Sequence, residues 1–88
     1  MSCTVKIASP LRSYTNGAAS VNAKGASVIE VLADLDRRFT GMRFRMIDEQ
    51  EQIRRHIRIF VNTREAKQLS EHVGAGDTVH LICALSGG

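Results

Sequence analysis

The chain closes with the stretch ICALSGG, ending on Gly87 and Gly88. Glycine loses more conformational freedom on ordering than any other residue, so a final pair adds nothing to the stability of the apolar run before it. Its use is chemical. A carboxylate resists nucleophiles until one oxygen becomes a good leaving group, and conversion to an acyl phosphate is the direct way to achieve that. The nucleophile then approaches a carbonyl carbon, where a Cβ on the last residue would crowd its path; glycine has none. Fully extended, Gly87 and Gly88 reach at most about 7 Å, or about 10 Å with Ser86. The expectation is that Gly88 carries the reacting carboxylate while Gly87 and Ser86 give it access to a narrow active site on another protein. Ser86 reads as a small tail residue, not a nucleophile.

The other chemistry-bearing side chains do not form a site by spacing. Cys3, Cys83, His56, His72 and His80 are too scattered to supply the four ligands of a zinc site. No Ser/His/Asp or Cys/His arrangement is evident, and the GAGD stretch at 74–77 lacks the strand-to-helix setting of a phosphate-binding turn. His72 and His80 read as surface residues. The chain is therefore expected to hold no catalytic residue, no metal and no bound cofactor, and not to be an enzyme.

Composition narrows the partners. Eighty-eight residues make one small domain, and 43% hydrophobic content with no Trp and 5% aromatics calls for an aliphatic core. The formal charge is only +3, yet Arg37, Arg38, Arg43, Arg45, Arg54, Arg55 and Arg58 fall close together. Nucleic-acid readers interleave such residues with stacking aromatics. Here only Phe39, Phe44 and Phe60 lie nearby, and two of those occupy core positions. The basic run is read as a solvated face or a surface for an acidic protein, with no nucleic acid involved. The opening MSCTVKIASP lacks the basic and apolar regions of a secretory signal, and LICAL is too short to span a bilayer. A cytoplasmic protein without membrane contact is expected, its two thiols reduced and buried.

Periodicity supplies the elements. CTVKIAS alternates, with Cys3, Val5 and Ile7 on one face. Pro10 breaks the run, Asn16-Gly17 marks a turn, and AASVNAK reads as a weaker second strand ended by Gly25. Val28, Val31, Leu32, Leu35 and Phe39 then form one stripe of a helix, with Ser27 and Glu30 as its capping box and Gly41 as its stop. Met42, Phe44, Met46 and Ile47 are expected to cover the helix end, and 48–55 to be a polar, mobile loop. HIRIFVN is a strand with Ile57, Ile59 and Val61 on one side. A connector anchored by Leu69 and Val73 leads through GAGD to a final strand, TVHLICAL.

One amphipathic helix can cover one face of one sheet. The first and last strands can lie parallel, with the intervening chain as crossover. The predicted fold is α+β, a β-grasp or ubiquitin-like domain over 1–85: a mixed sheet of four to five strands with one main helix packed on one face, and 86–88 a flexible tail. Cys3 and Cys83 should be offset by about four residues, or about 13 Å, beyond disulfide reach. The face away from the helix should carry Arg58, Phe60, His80, Ile82 and Ala84. Phe60 and Ile82 there are expected to form an apolar docking patch framed by Arg58 and His80.

With this element order and GDTVHLICALSGG at the end, the chain resembles the ubiquitin-like sulfur carriers of the MoaD, ThiS and CysO type. The resemblance spans nearly the whole chain and rests on LR with TNG in the first loop, SVIEVLADL, IFVN, and GD-x-V-x-L-I leading to Gly87-Gly88. The long segment Met42 to His56 and the RRHIRIFVN passage look closest to the CysO type; Ser86 departs from the small apolar residue often found there in molybdopterin-type tails. The resemblance implies that an adenylyltransferase related to ubiquitin-activating enzymes uses ATP and Mg²⁺ to activate Gly88. A sulfur donor then makes a thiocarboxylate for a downstream synthase, such as a cysteine synthase, and a zinc protease of the JAMM class releases the product. It also implies a monomer. Two alternatives share the same tail: a modifier joined to lysines through Gly88, and the small subunit of a molybdopterin synthase.

Overall fold

Five strands and two α-helices follow in the order β1 (Ser2–Ile7), β2 (Ser20–Lys24), α1 (Val28–Arg38), α2 (Met42–Met46), β3 (Ile57–Val61), β4 (Arg64–Ala66) and β5 (Thr78–Cys83). They come from a computed structural model that describes residues 2–83. The strands form one mixed sheet in the order β2-β1-β5-β3-β4. β1 and β5 run parallel with Val5 opposite Val79 and Ile7 opposite Leu81, while the other neighbouring pairs are antiparallel.

The alternation in sequence fixes which way each strand faces. Cys3, Val5, Ile7, Ile57, Ile59, Val61, Val79 and Leu81 are all buried in one core with Val28, Val31, Leu32 and Leu35 of α1. Phe39 packs against that core from its margin. Burying one such aliphatic side chain contributes about 1.5–3 kcal/mol, which is why parity overrides the weaker propensities of individual residues.

The start of α1 is tied down at several points. Ser27 accepts a hydrogen bond from the Glu30 N–H at 3.4 Å, and the Glu30 carboxylate accepts from the Ala26 N–H at 2.9 Å, one residue earlier than a capping box requires. The N–H groups of Val28 and Ile29 are donated to the carbonyls of Glu71 and Leu69 at 3.0 and 2.9 Å. The connector before β5 thus satisfies helix donors that would otherwise lack partners. Gly25 makes this approach feasible: a Cβ there would sit 2.7 Å from the Val31 backbone nitrogen.

Several segments differ from the sequence expectation. Ser9–Thr15 is a 3-10 helix with Pro10 in its first turn, not an open loop. Gly41, at φ 95, starts α2 instead of merely ending α1, and the Asp36 carboxylate accepts from the N–H groups of Gly41 and Arg43. Met42, Met46 and Ile47 are buried as expected, whereas Phe44 is 57% exposed because it lies on the outer side of that turn. The 48–55 stretch is structured: Asp48 accepts from the N–H groups of Gln50 and Gln52, and Ile47 bridges Ile53. The connector contains β4, joined to β3 by a tight turn in which Asn62 adopts φ 57.

Asp34 is the one buried carboxylate of the described core. It accepts from the Lys24 N–H at 3.0 Å and pairs with Arg37 and Arg38, joining α1 to β2. The backbone hydrogen bond from Lys24, the largest effect, together with the Arg37 and Arg38 guanidinium groups holds its carboxyl below the usual range, against the opposing effect of burial, which is second in size. A carboxyl lowered on folding stabilises the fold fully above its unfolded value, about 3.9, and loses that contribution as pH falls through the folded value. Asp34→Asn should cost about 1–2 kcal/mol at neutral pH, and the difference from the parent should shrink in urea melts below about pH 3. Gly25→Ala should lower the melting temperature by about 8–15 °C, read by calorimetry, since the backbone of α1 cannot retreat without losing its cap.

Candidate functional site

The sheet face turned away from α1 is built from the opposite parity of the same strands. Register places Phe60 opposite His80, and His80 opposite Lys6, so that these three side chains form a row across β3, β5 and β1. Glu65 of β4 continues the row beside Phe60. A second pair, Arg58 opposite Ile82, lies next to it toward the end of β5. Ile82 is 39% exposed, Phe60 and His80 are half-buried, and Arg58 is exposed. The Arg58 guanidinium faces Glu65 at 3.9 Å.

The four residues singled out from sequence are therefore neighbours on two adjacent strands. The segment after α1 does not bury Ile82, because its apolar side chains Met42, Met46 and Ile47 belong to the core with the helix. Sequence reasoning left out Lys6 and Glu65. Lys6 was legible from the alternation of β1, but Glu65 required β4, whose three residues carry no periodic signal. Ala84, Ser86, Gly87 and Gly88 lie outside the described residues.

Cys3 is buried and Cys83 half-buried, and both are free thiols. This corrects the expectation of two buried thiols. Cys83 shares the inward parity of Leu81 but stands at the sheet margin opposite Ile57. The register also puts Cys3 level with position 77, six residues before Cys83, so their separation along the sheet is about 20 Å, longer than anticipated. Burial, with smaller contributions from the negative charges of Asp77 and Asp34, pushes the Cys3 thiol upward. His72 bridges Ser27 beside the helix start, while His80 is on β5.

The turn that launches β5 is rigidly made. Gly76 adopts φ 83, the Asp77 carboxylate accepts from the Gly74 N–H at 2.8 Å, and the Thr78 N–H is donated to Asn62 at 3.0 Å. The Gly74 backbone hydrogen bond, followed by the Asn62 side chain, holds Asp77 below the ordinary carboxyl range. The GD portion of the final motif is thus explained by the turn itself.

Sheet order, parallel outer strands of the sequence and a single covering helix define a ubiquitin-like β-grasp protein. The same fold is seen in SAMP1 from Haloferax volcanii, at TM-score 0.84 and 25% identity with both chains fully covered. The chain belongs to the ThiS family, which it matches over residues 5–88. It is 31% identical over 93 residues to the sulfur carrier protein CysO of Mycobacterium tuberculosis, covering all of both chains. It also superposes on a chain of the Amycolatopsis orientalis BexX/CysO complex at TM-score 0.90 and 37% identity, covering 98% of this chain and 99% of that one. It is a sulfur carrier protein of the ThiS/CysO type. Among the described residues, no helix is long and apolar enough to cross a membrane.

The environments of the two thiols make a direct prediction. Under native conditions a maleimide reagent should label Cys83 at least about tenfold faster than Cys3, because only thiolate that can be reached reacts. Peptide mapping by mass spectrometry after timed quenching reads the ratio.

Proposed function

We propose that this carrier works through the carboxylate of Gly88, in the cytoplasm, as a donor of sulfide to a biosynthetic enzyme. The observation that carries the reading is full-length similarity to CysO carriers in a chain whose last strand is followed by Ser86-Gly87-Gly88. A Gly88 carboxylate oxygen attacks the α-phosphorus of ATP-Mg²⁺ on a partner adenylyltransferase, and pyrophosphate leaves. Sulfide from a donor then attacks the acyl carbon, AMP leaves, and the thiocarboxylate remains. Consumption by a cysteine synthase, with product release by a JAMM-type metalloprotease, is the downstream route favoured by the CysO relationship.

The folded domain supplies recognition. Phe60 and Ile82 form the apolar centre of the open sheet face, with Arg58 and His80 flanking it, and this face docks the activating enzyme. Recognition and chemistry are thereby separated. Strand β5 contributes to the docking face and leads, within a few residues, to the reacting end.

Incubation with the activating enzyme, ATP-Mg²⁺ and a sulfide source should produce a species heavier by one oxygen-for-sulfur exchange at Gly88, read by intact-mass spectrometry. Deleting Gly88 moves the carboxylate back by up to about 3.5 Å, and Gly88→Val crowds the attacked carbonyl; both variants should fold normally and fail to react. A residue appended after Gly88 should block activation until removed. Phe60→Asp and Ile82→Asp should each weaken docking by about tenfold or more with little loss of stability. Equal sulfur transfer to the Gly88 deletion defeats this reading, and lysine-linked conjugates without thiocarboxylate would favour the modifier reading in its place.

A further inference from the structure

Strand β3 has unequal neighbours. β5 pairs with all of Ile57–Val61, whereas β4 pairs only with Ile59, Phe60 and Val61. Among the described residues, the Ile57–Arg58 end therefore has no strand on its β4 side. A cleft of about 350 Å³ opens at that place. Its exposed lining is mainly polar: Ile57 and Ala66 lie buried beneath it, and its rim carries Arg54, Arg55, Arg58 and Lys67. Glu65 is the one carboxylate lining it and already faces Arg58 at 3.9 Å.

Part of that rim is held in place. The Arg54 Nε–H is donated to the Phe44 carbonyl at 2.7 Å, and its guanidinium lies 4.5 Å from the centroid of the Phe44 ring. An exposed aromatic is thus continuous with the cationic edge. Arg55 and Lys67 are exposed and form no ion pair among the described residues.

We propose that this cleft docks an acidic segment of a protein partner. Charge complementarity supplies the reason. Ile57 and Ile59 face the core and are closed to a visitor, so what this end of β3 presents is Arg54, Arg55, Arg58 and Lys67 against the single carboxylate of Glu65. The Ile57 N–H is already donated to the Arg54 carbonyl at 2.9 Å, which leaves little backbone to pair with a visiting strand. Side chains carry the recognition, and charge carries much of its strength. This surface is distinct from the Phe60–Ile82 face, although Arg58 borders both, and it does not depend on the chemistry proposed for Gly88.

The test uses a fluorescein-labelled oligoglutamate peptide, followed by anisotropy and by amide chemical-shift mapping on the full chain. Saturable binding is expected, with shifts concentrated at 54–59 and 65–67. Affinity should fall at least about tenfold when salt is raised from about 50 to about 300 mM, since exposed charges are screened over about 8 Å at physiological ionic strength. The double variant Arg55→Glu, Lys67→Glu should lose about tenfold or more while its melting temperature stays within a few degrees of the parent. A peptide with glutamine replacing glutamate should bind at least about tenfold more weakly. The proposal is overturned if the shifts fall at Lys6, Phe60 and His80, or if the double variant binds as tightly as the parent. Tighter binding of an oligouridylate that displaces the peptide would overturn it too, assigning the cleft to a phosphate backbone.

Discussion

Parallel pairing of β1 with β5 is the constraint on which the other features depend. Parallel neighbours cannot be joined by a tight turn, so the chain between them must cross over one sheet face. Here that crossover carries α1, and its stripe of Val28, Val31, Leu32 and Leu35 closes the core over Val5, Ile7, Val79 and Leu81. Once the inward parity is settled, the outward one follows without further choice: Lys6 beside His80, and His80 beside Phe60. β5 is also paired on both sides, by β1 and β3. The strand that leads toward Gly88 is therefore among the most firmly held in the sheet.

What could be read from sequence was whatever repeats with a period. The alternation of β1, β3 and β5 and the stripe of α1 each place several side chains in one core, and that redundancy makes the pattern robust. The missed elements are those with no redundancy. MRFRM alternates apolar and basic residues and so mimics a strand; α2 forms there because Gly41 can adopt φ 95 and Asp36 caps the new turn from the previous helix. That tertiary cap also explains Phe44, which a period-two reading sends inward with Met42 and Met46 and a single helical turn sends outward. β4 is three polar-flanked residues whose only strong cause is the tight turn at Asn62. On the candidate site, Arg58, Phe60, His80 and Ile82 were legible as sharing one face because parity alone decides it. Glu65 was not, since it belongs to an element invisible without its partner strand.

Charge shows the same division between local and tertiary information. In sequence the arginines form one basic run. In the fold Arg37 and Arg38 bind Asp34, Arg43 faces Glu51 at 3.6 Å, Arg58 faces Glu65, and Arg54 stacks on Phe44. The exposed pairs Arg43–Glu51 and Arg58–Glu65 contribute about 0–1 kcal/mol each, so their consequence is less for stability than for what remains unpaired. The remainder is uneven: it gathers where β4 stops short of the end of β3. A modest overall charge of +3 thus conceals a local excess.

The helix start and the turn before β5 show how so small a domain keeps its surfaces in a set relation. The Glu71 and Leu69 carbonyls of the connector accept from the Val28 and Ile29 N–H groups in the first turn of α1, and the Ala26 carbonyl in turn accepts from the Val73 N–H at 3.0 Å. Val73 is itself fully buried. Three residues later Gly76 and Asp77 turn the chain into β5, with the Gly76 N–H donated to the Ser2 carbonyl and the Asp77 carbonyl accepting from Thr4. Helix cap, first strand and last strand are consequently joined within a few residues, and none can shift without breaking hydrogen bonds in the other two. On the proposed reading, in which Gly88 reacts and the open face docks, such stiffness would give the residues after β5 a defined origin. The reach needed beyond β5 is then set by the number of residues that follow Cys83, and a change of one residue there moves the carboxylate by up to about 3.5 Å relative to a surface that does not yield.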